Sequence, residues 1–367
     1  MNREAQDHVA APPLPPAAAD EHFFAWNGVG FLLPVSWELS FCDLQRGVTS
    51  VAHEDDCDRR LEAEWLVPDS VPAQEKVQQR FQQQARAIAE KATAVLPIAG
   101  IDDAWTAHEY HLGDAAAQQP PRAVAAAAQQ LPRGGAAAQQ PPRAGGAAAQ
   151  QPPRAGGAAA QQLPRGGAAA VLVIAYRLPQ GPGEPMALFR LHFPAGSREV
   201  PAVVMRLLCR SFRWWSAGEA PWQFYDVAFA LRRDFRLAAT ALQAGRKLLQ
   251  FEWRLRRLYV WHFSLAELML AKQSVEAFCA DFLRQSKLLP VPRWTPMPDG
   301  GLTYRRRRLH FFGQFEEIGR CCFKYYAWCH HDPARNQIAL WVMHYRCAAD
   351  LQQLPAAIRP GVFLSRN

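Results

Sequence analysis

No run of this 367-residue chain approaches the ~20 consecutive apolar residues that a membrane-spanning helix needs. The first twenty residues are rich in Ala and Pro and lack the apolar segment of a signal peptide. The eight cysteines include no C-x-x-C pair, and neither G-x-S-x-G, H-E-x-x-H nor a phosphate-binding loop occurs. Reduced thiols in a cytoplasmic protein are expected, several of them buried as small hydrophobes. Acidic residues are missing altogether from 115–170.

What is present is core material. The chain is 49% hydrophobic and holds 12 Trp and 20 Phe, enough for two domains. A wholly disordered chain, a collagen and a disulfide mini-protein are all excluded.

Charge is unevenly divided. Outside 115–170, the first 217 residues carry 14 basic and 21 acidic side chains; residues 218–367 carry 22 and 12. The net charge of +8 therefore hides an acidic half followed by a basic one. An intramolecular contact between the two is expected.

Residues 115–170 repeat one unit: AAAQQ, then PPR or LPR, then AGG or GG, with Arg at 122, 133, 143, 154 and 165. Its apolar content is almost all Ala, too little to offset ordering entropy. Pro and Gly interrupt any helix. A disordered, low-complexity linker is expected.

The chain is also duplicated. Residues 26–47 match 224–245 without a gap: Val29 with Val227, Phe31 with Phe229, Leu33 with Leu231, Leu44 with Leu242, Gly47 with Gly245. Beyond the repeat, His192-Phe193 falls on His344-Tyr345, and Ala175-Tyr176 on Ala327-Trp328. The expected organisation is a disordered tail over 1–21, a first module over 22–217 interrupted by 115–170, and a second module over 218–367.

Each module reads as strands, a helix, further strands ending in a hairpin, and a short helix. In the second module one helix is expected near 265–288, because Val275, Phe278, Cys279, Phe282 and Leu283 recur at helical spacing. In the first, Val77, Phe81, Ala85 and Ile88 do the same, and a helix over 200–212 has Ser197 as a possible cap. Alternation in the last hairpin places Val173, Ala175, Phe189 and Leu191 on a core face. The same reading puts Tyr325, Ala327 and Cys329 with Trp341 and Met343, and leaves Tyr176, His192, Trp328 and His344 on the other face. The fold class expected is α+β: two tandem copies of an antiparallel sheet packed with helices. This order, with the opening Y-D-V-A-F-x-L from Tyr225 to Leu231, resembles the PsbP/Mog1-like α/β/α sandwich. The resemblance implies binding or assembly rather than catalysis.

Chemistry-bearing clusters are few. Gly28-Val29-Gly30 precedes a strand rather than a helix and reads as a strand start. Cys321, Cys322, Cys329, His330, His331 and Cys347 are dense, but alternation divides them between faces, so buried thiols and loop histidines are expected rather than zinc. The acidic run from His53 to Asp58 reads as a solvated turn, with Arg254, Arg256 and Arg257 at the matching turn of the second module. Those arginines and the Arg305, Arg306, Arg307 and Arg308 run have the composition of a phosphate-binding surface. No catalytic, cofactor-binding or metal site is expected. The expected function is that of a non-enzymatic adaptor or assembly protein. Its surface would include Tyr176, His192, Trp328, His344 and the seven arginines just named. The alternatives are nucleic-acid binding through the Arg-rich second module, and an enzyme with an unrecognised site.

Overall fold

The structure, a computed structural model, describes residues 17–45, 47–56, 58–113, 170–181, 183–286, 293–297, 301–306, 324–355 and 358. Nearly all of the repeat, most of the tail, Arg307, Arg308, Cys321 and Cys322 lie outside these residues. The chain joins its first strand at Glu21, inside the segment expected as tail.

The first half runs β1 (Glu21–Trp26), β2 (Val29–Pro34), β3 (Glu38–Gln45), β4 (Val48–Glu54), β5 (Arg59–Leu66), α1 (Val71–Ala89), β6 (Ala92–Pro97), β7 (Trp105–Leu112), β8 (Ala170–Arg177), β9 (Met186–Phe193), α2 (Pro201–Ser211) and β10 (Arg213–Trp214). The second runs β11 (Glu219–Phe224), β12 (Val227–Arg232), β13 (Arg236–Gln243), β14 (Arg246–Trp253), β15 (Arg256–Ser264), α3 (Ala266–Leu270), α4 (Val275–Gln285), β16 (Thr295–Pro296), β17 (Leu302–Arg306), β18 (Lys324–Asp332) and β19 (Gln337–Tyr345), then a 3-10 turn over Ala348–Gln353.

These strands form three antiparallel sheets. Two have seven strands, β3-β4-β5-β9-β8-β7-β6 and β13-β14-β15-β19-β18-β17-β16, so the order is the same in both halves. The third, β10-β2-β1-β11-β12, takes strands from both halves. The boundary at 217/218 thus falls between two strands of one shared sheet.

The expected α+β class is overturned. Strands hold 50% of the described residues and helices 21%, so the protein is mostly β. Two causes are visible. Strands form where alternation is faint: β13 reads R-L-A-A-T-A-L-Q and is held by seven rungs to β14. The helix expected over 265–288 is two pieces: α3 ends at Leu270, and Ser274 starts α4 afresh by accepting the Ala277 N–H at 3.3 Å. Ser197 caps no helix either; α2 starts after Val200 with no side-chain cap.

β1 and β2 are joined by Asn27 and Gly28, with φ of 46° and 81°. That is the two-residue turn whose twist suits a hairpin. Gly28 leaves room for the Arg233 guanidinium of the second half, which lies 4.9 Å over the Trp214 ring and donates to Asn27 at 3.3 Å.

The halves meet around a local two-fold axis. Ala25 pairs with Gln223, and the ring of Trp26 lies 4.9 Å from that of Phe224. Cys42 touches Thr240, 198 residues later. All three pairs join residues matched at that same separation, which places them on the axis. One apolar cluster runs through the inner faces of both large sheets, the shared sheet and α2. The outer face of the first large sheet is covered by α1 through Phe81, and that of the second by α4 through Cys279 and Leu283.

The repeat enters between β7 and β8, neighbouring strands whose last rung is Leu112 with Ala170.

Candidate functional site

Register decides which side chains share a face. In the first half Tyr176 pairs with Leu188. In the second, Cys329 pairs with Leu340 and Trp328 with Trp341. Counted between paired residues, Cys329 to Leu340 is one residue shorter than Tyr176 to Leu188, so Tyr176 matches Cys329. This corrects the alignment with Trp328 and inverts the expected face for Tyr325, Ala327 and Cys329. Tyr176 faces outward towards α1, whereas Trp328 faces inward and belongs to the central core. His192 and His344 are equivalent and both lie on outer faces, opposite Leu172 and Tyr325.

Their surroundings differ. Around His192 the outer face is ionic. Glu62 and Arg190 face each other on β5 and β9, with a 3.3 Å ion pair. Arg190 also binds Glu64, which Arg80 of α1 reaches at 3.1 Å. Arg59 bridges Glu54 and Glu62 at 3.0 and 3.2 Å. Burial lowers the His192 imidazole, with Glu62 opposing and Arg190 assisting. Its Nε2 has no hydrogen-bond partner among the described residues.

Around His344 the same face is aromatic. Tyr325 meets its ring edge-on at 4.6 Å, and Tyr259 lies at 5.5 Å and stacks on Trp261. Tyr259, Trp261 and Val342 occupy the positions of Glu62, Glu64 and Arg190. His344 is itself 7% exposed, so it packs rather than presents a surface.

The arginines of the second half are largely engaged. Arg256 binds Asp350 through two 2.9 Å hydrogen bonds. Burial would raise the Asp350 carboxyl, but Arg256 and the N–H groups of Cys347 and Arg346 hold it at about 2. Arg257 pairs with Glu252 at 3.0 Å and donates to the Tyr259 hydroxyl at 3.2 Å. Arg305 donates to the Tyr345 hydroxyl at 3.0 Å. Arg254 is exposed in the β14–β15 turn at φ 53°, above Trp253. Arg306 ends β17. Each ion pair described here joins residues of one half.

His53 is not part of a solvated turn. It lies in β4, fully buried, with its ring 4.5 Å from that of Phe24. Asp55 does form the turn, accepting the Asp58 N–H at 2.9 Å and binding Arg60.

Cys329 faces α4, His330 stacks on the inward Trp328, and Cys347 sits at the 3-10 turn. Among the described residues no group of three His, Cys, Asp or Glu side chains could hold a metal ion. On the axis, Trp26, Cys42, Leu44, Leu237 and Thr240 line a groove of about 230 Å³, below the size of an ordinary ligand pocket.

The clearest surface feature went unread in the sequence. β6 ends the first large sheet, and all but its first residue are exposed. Val95 and Leu96 are 41% and 51% exposed. Its counterpart β16 is two residues long and ends in Pro296. Both edges end in Pro, so length separates them: a two-residue edge offers little to pair with, and a longer apolar one invites pairing. A-T-A-V-L-P lacks alternation, so only the Pro at its end signalled an edge.

These features define a mostly β protein built around an internal two-fold axis. No helix among the described residues is long and apolar enough to cross a membrane. Compared with known protein families and with curated proteins, the chain matches none.

Proposed function

We propose that the protein is a non-enzymatic adaptor and that β6 is where it takes hold of another protein. The observation that carries this reading is the asymmetry between equivalent edges. Among the described residues the second half's edge strand has two residues, while that of the first has six with Val95 and Leu96 exposed. An extended segment of a partner would add alongside β6 through main-chain hydrogen bonds, with its apolar side chains beside Val95 and Leu96. Nucleic-acid binding draws less support, since Arg256, Arg257 and Arg305 already have partners.

The test is quantitative affinity capture from native lysate with the full chain and with Val95→Lys/Leu96→Lys. Both positions are exposed, so the variant keeps the fold. Proteins recovered by the unaltered chain and lost by the variant support the reading. Equal recovery by both removes β6 from it. Nucleic acid retained by both in a salt-sensitive manner favours the arginine surface instead.

A further inference from the structure

Among the buried groups with reactive chemistry, one pair stands apart from the surfaces above. The Sγ atoms of Cys279 on α4 and Cys329 on β18 lie 2.8 Å apart, and both residues are fully buried. A disulfide bond is about 2.05 Å long, so joining them needs a side-chain shift of under ~1 Å. The matching positions in the first half are Phe81 and Tyr176, which both belong to the apolar cluster beneath α1. Thus the halves fill one helix-to-sheet position differently, and only the second fills it with two oxidisable atoms.

We propose that Cys279 and Cys329 are a redox-sensitive pair whose disulfide fastens α4 to the second large sheet. The oxidant is a small-molecule disulfide. One cysteine, as thiolate, attacks it, forms a mixed disulfide and expels one thiol. The second cysteine then attacks the protein-bound sulfur and expels the other. Two cysteine S–H bonds are lost, one S–S bond is gained, and the reagent leaves as two thiols.

The pair is sheltered. The neighbouring Cys329 thiol and burial both hold the Cys279 thiol above its usual range. Thiolate forms when α4 lifts, an opening that must part Cys279 and Leu283 from the sheet together with the Phe278 and Phe282 rings packed on Phe263. Oxidation is therefore slow at neutral pH and speeds up as pH rises. Once formed, the bond closes a loop between positions 50 apart, and the melting temperature rises by about 5 °C or more.

The experiment uses the full chain incubated with oxidised glutathione, then digested with trypsin without reduction. Cleavage after Lys272, Arg284, Lys324 and Arg335 puts each cysteine on its own peptide, 273–284 and 325–335. The expected result is one linked species, two hydrogens lighter than the sum of these peptides, with the higher melting temperature reversed by dithiothreitol. Cys279→Ala and Cys329→Ala each abolish the link and the temperature rise. Peptides 273–284 and 325–335 recovered unlinked while Cys347 is modified would overturn the proposal. So would links of either cysteine predominantly to a third one.

Discussion

The Sγ of Cys42 and the Oγ1 of Thr240 are 3.6 Å apart, and they are the same position in the two halves of the chain. Contact between equivalent residues occurs only on a two-fold axis, so the halves are related as two subunits of a symmetric dimer would be. Thr240→Cys would place two thiols across that axis. Mild oxidation of this variant should link positions 42 and 240, seen as faster migration in a non-reducing gel. An unlinked product under conditions that oxidise exposed thiols would mean the halves do not meet there.

Trp26 contributes to the same junction from deeper inside. It is fully buried, with its ring 5.2 Å from Trp222 and 4.9 Å from Phe224. Trp26→Ala should cost about 3–5 kcal/mol through lost burial and the cavity left behind. Because the core is continuous across the halves, urea unfolding of the variant should stay a single transition at lower denaturant. Two separated transitions in the unaltered protein would contradict a shared core.

His53 and His262 make stability depend on pH. Burial first, helped by the nearby His22, holds the His53 imidazole at about 3, and burial holds His262 at about 4. In the unfolded chain both titrate near 6.5, so below that pH the unfolded state binds more protons. Stability therefore falls as pH drops from ~6.5 towards ~4. At pH 5 each histidine costs about 2 kcal/mol. The position equivalent to His53 is Phe251, also fully buried. Burial lowers His22 and His192 as well, so His53→Phe should shrink the difference in urea midpoint between pH 7 and pH 5 by less than half; an unchanged difference refutes the assignment.

Arg256 and Arg254 separate a structural arginine from an exposed one. Removing Arg256 strands the Asp350 carboxylate, whose side chain is only 4% exposed. Arg256→Ala should lower stability by about 3 kcal/mol. Arg254→Asn, at a left-handed turn position that Asn tolerates, should change it by less than ~0.5 kcal/mol. Thermal melts of the two variants check this, and equal losses would show that the Asp350 pair contributes nothing.

Legibility of the sequence varied with the strength of the local pattern. Phe81 and the stripe from Val275 to Leu283 were readable because helical spacing repeats over several turns. β2 and β12 were readable because V-x-F-x-L alternates. β13 was not, since Ala and Thr carry little contrast and the strand exists through its pairing with β14. Trp328 was assigned to the wrong face by a single residue of loop length, and a one-residue slip exchanges every face along a strand. The Asn27-Gly28 dipeptide was a hairpin signal that went unused. The engaged states of Arg256 and Arg305 depend on Asp350 and Tyr345, long-range partners that no local window contains.

The Leu112–Ala170 rung has an evolutionary consequence. The residues that flank the repeat are held side by side, so the gap it closes is the same whatever its length. Closing a flexible loop twice as long costs only about 0.6 kcal/mol. Gain or loss of whole AAAQQ units through replication slippage is thus nearly invisible to folding, and selection for a stable fold sets no particular number of them.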